Sequence, residues 1–152
     1  MSTWSMNEPD PATAGAVLRL ASQLVDGIQQ GLTRRGFNDV RAVHGFAFAR
    51  LSGTPATASE LAAHLGVSKQ AAAQLVDHLV ERGYLHREPD PTDRRARLLV
   101  LSERGRACTA AADQAAADVV QHWRDQLPDP QFEQLQQALH TIAVPGRLRP
   151  AW

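Results

Sequence analysis

Residues 57–83 read TASELAAHLGVSKQAAAQLVDHLVERG, and they limit the fold more than any other stretch. Thr57 and Glu60 stand at T-x-x-E spacing, which lets each side chain bond the other's backbone N–H and start a helix. Leu61, Ala62 and Leu65 form the apolar stripe of that helix, and Gly66 stops it. Only a few residues later Ser68 can cap a second helix, with Ala72, Leu75, Val76, Leu79 and Val80 on its buried side and Gly83 at its end. Two helices joined by a turn of about three or four residues containing glycine make a helix-turn-helix.

A hairpin is expected next, over 84–101. YLHRE and ARLLVL are the strand candidates, and PDPTDRR forms a long projecting tip. Pro89 and Pro91 are expected to keep that tip out of the ladder and to stiffen it. Ser102 then caps a long alanine-rich helix over 103–126, running through Ala107, Ala111, Ala115, Val119 and Trp123. Asp129-Pro130 repeats a cap-plus-proline start for a last helix bearing Phe132, Leu135, Leu139 and Ile142. Upstream, Asp10-Pro11 opens a helix with Val17, Ala21, Leu24, Val25, Ile28 and Leu32 at helical spacing, closed by Gly36. Asn38 is expected to cap the helix that carries Val40, Val43, Ala47 and Leu51 on one face and Phe46 and Phe48 beside it. The expected fold is mainly α with a small β-hairpin wing (α+β), in one domain. Residues 37–101 would form the winged helix-turn-helix, and 10–36 with 102–145 a helical dimerisation region. Residues 1–9 read as a flexible arm and 146–152 as a tail.

The chain has 152 residues, enough for one core. Apolar residues make up 43% and charged residues 21%, an ordinary globular balance. Sixteen basic residues balance sixteen acidic ones, so any case for nucleic acid must rest on local charge. The single cysteine, Cys108, excludes an intrachain disulfide and fits a reducing compartment. The first residues lack a basic and apolar leader pattern, and no run suits a membrane span, so the expected location is the cytoplasm, without a membrane partner. The histidines (44, 64, 78, 86, 122 and 140) are scattered, without i, i+3 or i, i+4 pairs, so no metal site is expected. No triad, phosphate loop or glycine fingerprint is present, and the reading is of a protein with no catalytic residues and no cofactor, not an enzyme.

The local charge is at the hairpin. Arg94, Arg95 and Arg97 on a narrow tip suit a minor groove, whose negative potential attracts guanidinium groups. Asp93 is expected to hold a neighbouring arginine by bidentate pairing and so brace the tip. The second helix of the pair opens with Ser68, Lys69, Gln70 and Ala71, and Gln74 follows one turn later. These side chains suit a major groove: Gln can bond adenine, Lys can reach guanine or phosphate, and Ala can touch a thymine methyl. Arg87 and Arg97 are lesser phosphate candidates.

Residues 57–106 resemble the winged core of the MarR family of bacterial transcription regulators. The D-x-x-D-R-R pattern at Asp90, Asp93, Arg94 and Arg95, followed by LLVLSERG, is the most specific part. The resemblance implies a homodimer, interlocked through its first and last helices, that binds a pseudo-palindromic operator in double-stranded DNA as a repressor. It places Ser68, Lys69, Gln70 and Gln74 at recognition-helix contacts, Arg94 at the wing tip, and Asp93 and Arg95 as braces. It also implies a ligand or an oxidation that alters DNA affinity. A small aromatic or lipophilic effector would fit an apolar crevice built from His44, Phe46, Phe48 and first-helix residues, although His44 reads more readily as a satisfied core histidine. Cys108, within an alanine stripe, reads as a buried inert thiol. The alternative is a winged-helix module that binds protein rather than specific DNA.

Overall fold

The computed structural model describes residues 10–148. The arm expected at 1–9 and the end of the tail lie outside the described residues. Six helices and one hairpin follow in chain order: α1 (Pro11–Arg34), α2 (Ala42–Gly53), α3 (Ala58–Leu65), α4 (Lys69–Glu81), β1 (Leu85–Asp90), β2 (Asp93–Leu101), α5 (Glu103–Asp125) and α6 (Asp129–Ile142). Most boundaries follow from caps. The Asp10 side chain accepts the Ala12 N–H at 2.9 Å, and Thr57 and Glu60 form the reciprocal capping box. The Ser68 Oγ accepts the Ala71 N–H at 3.1 Å, and the Ser102 Oγ accepts the Gly105 N–H at 3.0 Å. Gly66 ends α3 at φ 71°, a left-handed conformation natural to glycine.

The core gathers α2, α3, α4, the base of the hairpin and the start of α5 around Tyr84, Leu61, Leu79, Leu99, Val76 and Cys108, all fully buried. Tyr84 packs on Phe48, with ring centroids 5.5 Å apart. The chain N-terminal to α5 is fastened beneath the hairpin: Ser102 donates its backbone N–H to the Tyr84 carbonyl at 2.9 Å and its hydroxyl to the Gly83 carbonyl. The joint is close enough that a Cβ on Gly105 would lie 2.3 Å from the Tyr84 oxygen. Above this module α1 runs against α5, and the small residues Gly27 and Gly31 meet Val119 and Ala115 at the crossing.

Four local expectations change. Asn38 does not cap α2. The helix starts at Ala42, and the Arg41 N–H donates to Nδ1 of His44 at 2.9 Å, so a ring inside the first turn supplies the acceptor that Asn38 lies too far upstream to offer. Val40 still enters the core, from the linker rather than the helix. At the last helix, Pro128 holds the cap position, and Asp129 is the first helical residue, 3.6 Å from Arg124. α5 ends one residue early, at Asp125.

The largest change concerns the hairpin tip. Pro89 lies inside β1, opposite Arg97, and the turn is only Pro91-Thr92. β1 is an edge strand beside a bulge, which is where a proline without an N–H is tolerated. The register pairs Leu85 with Leu101 through Pro89 with Arg97, then jumps to Asp90 with Asp93. Residues 94–96 therefore have no partner on β1 and bulge out of the ladder. Leu99 also donates to the Ala56 carbonyl at 2.7 Å, which ties the hairpin base to the segment before α3.

Candidate nucleic-acid interface

α4 turns Ala72, Val76 and Leu79 into the core, and its opposite side consists of Lys69, Gln70, Ala71, Ala73, Gln74 and Asp77, all exposed. Ser68 is exposed too, and its hydroxyl is committed to the cap. The first backbone N–H groups of a helix have no intrahelical acceptor, so this end offers donors beside Lys69 and Gln70.

The wing presents its arginines through the bulge. Arg94, Arg95 and Arg97 are exposed, and none forms an ion pair among the described residues. Asp93 braces the tip by a different bond from the one expected. Its carboxylate accepts the backbone N–H of Arg95 at 2.9 Å and leaves the guanidinium groups unpaired. A carboxylate two residues before an N–H closes a local Asx turn more readily than it reaches a long, mobile side chain. Asp90 makes the matching turn on the other side, accepting from the backbone N–H and the hydroxyl of Thr92 at 2.8 and 2.7 Å. Those bonds hold its carboxyl below the ordinary carboxylate range.

Arg87 differs from the other arginines. On β1, it donates to the Asp77 carboxylate of α4, joining the wing to that helix. This pair lies between elements that sequence spacing does not relate. A polar knot under the site is likewise absent from any local pattern. Tyr84 donates its hydroxyl to Asp39 at 2.6 Å and accepts from Arg104 at 3.1 Å, and Arg82 and Arg104 stand 3.6 and 3.7 Å from the same carboxylate. The tyrosine bond is the main cause that keeps the Asp39 carboxyl low, while burial pushes the Tyr84 phenol up.

The crevice residues do not converge. Phe46 lines an apolar cavity of about 270 Å³ between α1, α2 and α5, with Val25, Ile28, Leu32, Ala112 and Ala116. Phe48 is instead buried against Tyr84 in the core. His44 lies on a separate polar hollow with Asp39, Arg41 and Arg82, its ring stacked on His78 at 5.2 Å between centroids. An i, i+2 pair on one helix cannot face one pocket, because the residues point about 200° apart around the axis. Of the signals available, the helical stripe Val25–Ile28–Leu32 of α1 marked one wall of the cavity; Ala112 and Ala116 of the alanine stripe marked the other. Cys108 is buried, and burial pushes its thiol up to about 11. Among the described residues no three His, Cys, Asp or Glu side chains gather as a metal site, and no helix is long and apolar enough to cross a membrane.

Residues 42–96, from α2 through the wing bulge, match the model of the MarR family. The winged segment is thus similar to the MarR family. The described chain also has the fold of solved MarR-family regulators. MarR from E. coli in its apo form is 22% identical, with 90% of this chain and 100% of that chain covered and a TM-score of 0.72. A cysteine-to-serine mutant of the same protein, complexed with operator DNA, is 20% identical, with 88% and 95% covered and a TM-score of 0.66. RV1404 from Mycobacterium tuberculosis is 24% identical, with 90% and 94% covered and a TM-score of 0.77. CouR from Rhodococcus jostii RHA1, bound to p-coumaroyl-CoA, is 23% identical, with 91% and 96% covered and a TM-score of 0.64. No curated protein matches the chain in sequence. The matched segment contains α4 and every wing arginine except Arg97, while α1, α5 and α6 are matched through the fold.

Proposed function

We propose that the chain is a sequence-specific DNA-binding transcriptional repressor that acts as a homodimer on a pseudo-palindromic operator. The observation that carries this reading is local: two exposed, unpaired arginines bulge from a hairpin that exposes a third, Arg97, in its ladder, and the hairpin is tied to a helix with a small, polar outer face, in a chain of zero net charge. In this reading α4 enters the major groove, where Ser68, Lys69, Gln70, Ala71 and Gln74 meet base edges and phosphates. Arg94 enters the adjacent minor groove, Arg95 and Arg97 meet phosphate, and Arg87 serves by holding the wing at a set distance from α4. A two-fold axis would space the half-sites by about 10 base pairs. Support for operator binding comes from the E. coli relative solved on operator DNA. The polar Gln70, Gln74 and Asp77 disfavour the alternative of a protein-binding surface, which needs an apolar centre.

The cavity between α1, α2 and α5 is the proposed effector site, for a small aromatic or lipophilic molecule. Its walls are mainly apolar, with one cation, Arg41, and one carboxylate, Asp113, among the lining residues, and CouR provides a structure of this fold bound to p-coumaroyl-CoA.

The test is direct. A duplex recovered by sequencing DNA retained on the purified protein is titrated at several salt concentrations. Affinity should fall steeply with salt, as counterion release requires. Arg94→Ala should weaken binding about tenfold, the order of one good contact, with an unchanged melting temperature. Equal affinity in parent and variant rejects the wing assignment, and salt-insensitive binding rejects DNA as the partner.

A further inference from the structure

Beyond the last helix the chain turns back on itself. α6 ends at Ile142, and the next residues are Ala143-Val144-Pro145-Gly146-Arg147-Leu148. Ala143 is already extended, with ψ 107°, and Val144 precedes a proline, which disfavours helical backbone. The segment therefore leaves the helix as a stiffened strand of chain. It makes two independent contacts with distant parts of the fold. Arg147 donates from Nη1 to the carbonyl of Ala63 in α3 at 2.9 Å. Leu148 forms part of the wall of the apolar cavity, on the outer side, together with Phe46, Ala112 and Ala116.

The Ala63 carbonyl is a natural anchor. It belongs to the last turn of α3, where carbonyls have no intrahelical donor and the helix dipole favours a cation. Gly66 and Val67 both donate to Ala62, so neither satisfies Ala63. Leu148, for its part, remains two-thirds exposed, so it rims the cavity rather than filling it. The interior stays open for a ligand, but the way in along that side is crossed by this segment.

We propose that Val144–Leu148 is a strap closing the cavity of its own chain, clasped to the helix-turn-helix by Arg147. A molecule entering the cavity along that side lifts Leu148, and lifting it loosens the Arg147 clasp on α3, the helix that precedes the proposed recognition helix. The strap thus couples occupancy of the cavity to the DNA-facing module. Its regulatory use rests on the cavity being an effector site; the contact itself does not.

Two measurements on the full chain test this. In the first, backbone amide relaxation and chemical shifts are recorded for the parent, Leu148→Ser and Arg147→Ala. Residues 146–148 should show heteronuclear NOE values close to those of the helices. Leu148→Ser should shift the amides of Phe46, Ala112 and Ala116. Values typical of a free tail, with shifts confined to sequence neighbours, overturn the strap. In the second, the apolar fluorophore anilinonaphthalene sulfonate is titrated. If the strap is closed about nine-tenths of the time, its release tightens binding about tenfold in both variants. Equal affinity in all three proteins overturns the competition. If none of them takes up the probe, the competition and the ligand reading of the cavity both fail, while the first measurement still decides the strap.

Discussion

His44 is neutral because of where α2 begins. Its Nδ1 accepts the Arg41 N–H, its ring stacks on His78, and it is almost fully buried. Burial first, then the neighbouring His78 and Arg41, lower it from 6.5 to about 4, against a smaller pull upward from Asp39. The consequence for stability has a definite sign. Between pH 6.5 and about 4 the unfolded chain binds a proton at this residue that the folded chain does not, so stability falls as pH falls through that window. Asp39, held below its ordinary range, adds to the loss only at more acid pH. Urea midpoints should therefore decline from pH 7 to 4.5 in the parent. They should decline less in His44→Gln, which retains an acceptor but does not titrate; parallel declines would reject the assignment. Asp93 teaches a related lesson at the wing: a short acidic side chain satisfies the nearest backbone N–H before it reaches a guanidinium, and so leaves Arg94 and Arg95 unpaired.

At the scale of elements, the α1–α5 crossing depends on missing side-chain atoms. A Cβ on Gly31 would sit 2.4 Å from the Ala115 Cβ and 3.3 Å from its Cα, and one on Gly27 would sit 2.3 Å from Val119. Backbone cannot move aside as a flexible side chain can. Gly31→Ala should cost about 1–3 kcal/mol through overpacking, against about 1 kcal/mol gained in helix propensity. Gly15, on the same helix, meets only the end of the Arg19 side chain. Gly15→Ala should thus gain up to about 1 kcal/mol. Denaturant unfolding of the two variants checks the difference in sign, and equal gains would mean that the helices do not cross so closely. The bulge is the second device at this scale. It removes three consecutive residues from the ladder without lengthening the turn, so two arginines project from a short, well-held tip rather than from a long loop.

At the scale of the molecule, α6 packs only lightly on the other elements among the described residues, and Phe132 is the buried residue it contributes. Leu139 and Ile142 on α6 are exposed, as are Val17, Leu18 and Leu20 on α1. Apolar residues on two helices that carry little of the core call for a second surface. A second copy of the chain is the occupant required by the proposed two-fold operator. Light scattering at micromolar concentration should give twice the chain mass of 16.6 kDa. Leu18→Glu combined with Ile142→Glu should shift it toward a single chain and weaken operator binding. A parent protein that scatters as one chain would reject the dimer.

Much of this was legible in the chain because it is written at short range. Caps, helix-ending glycines and apolar stripes involve residues within about four positions of one another, and backbone hydrogen bonding then leaves one outcome. Thr57–Glu60, Ser68, Gly83 and Ser102 therefore marked the helix pair and the hairpin, and the D-x-x-D-R-R pattern marked the wing. The local rules failed where distance in sequence hid nearness in space. Asp77 with Arg87, Tyr84 with Asp39 and Arg104, His44 with His78, and Arg147 with Ala63 are each made by packing between elements. The same holds for the cavity. Phe46, Ala112 and Ala116 share it, and neighbouring Phe48 does not, because a helix turns adjacent side chains to different faces and only the packed fold decides which face meets a hollow.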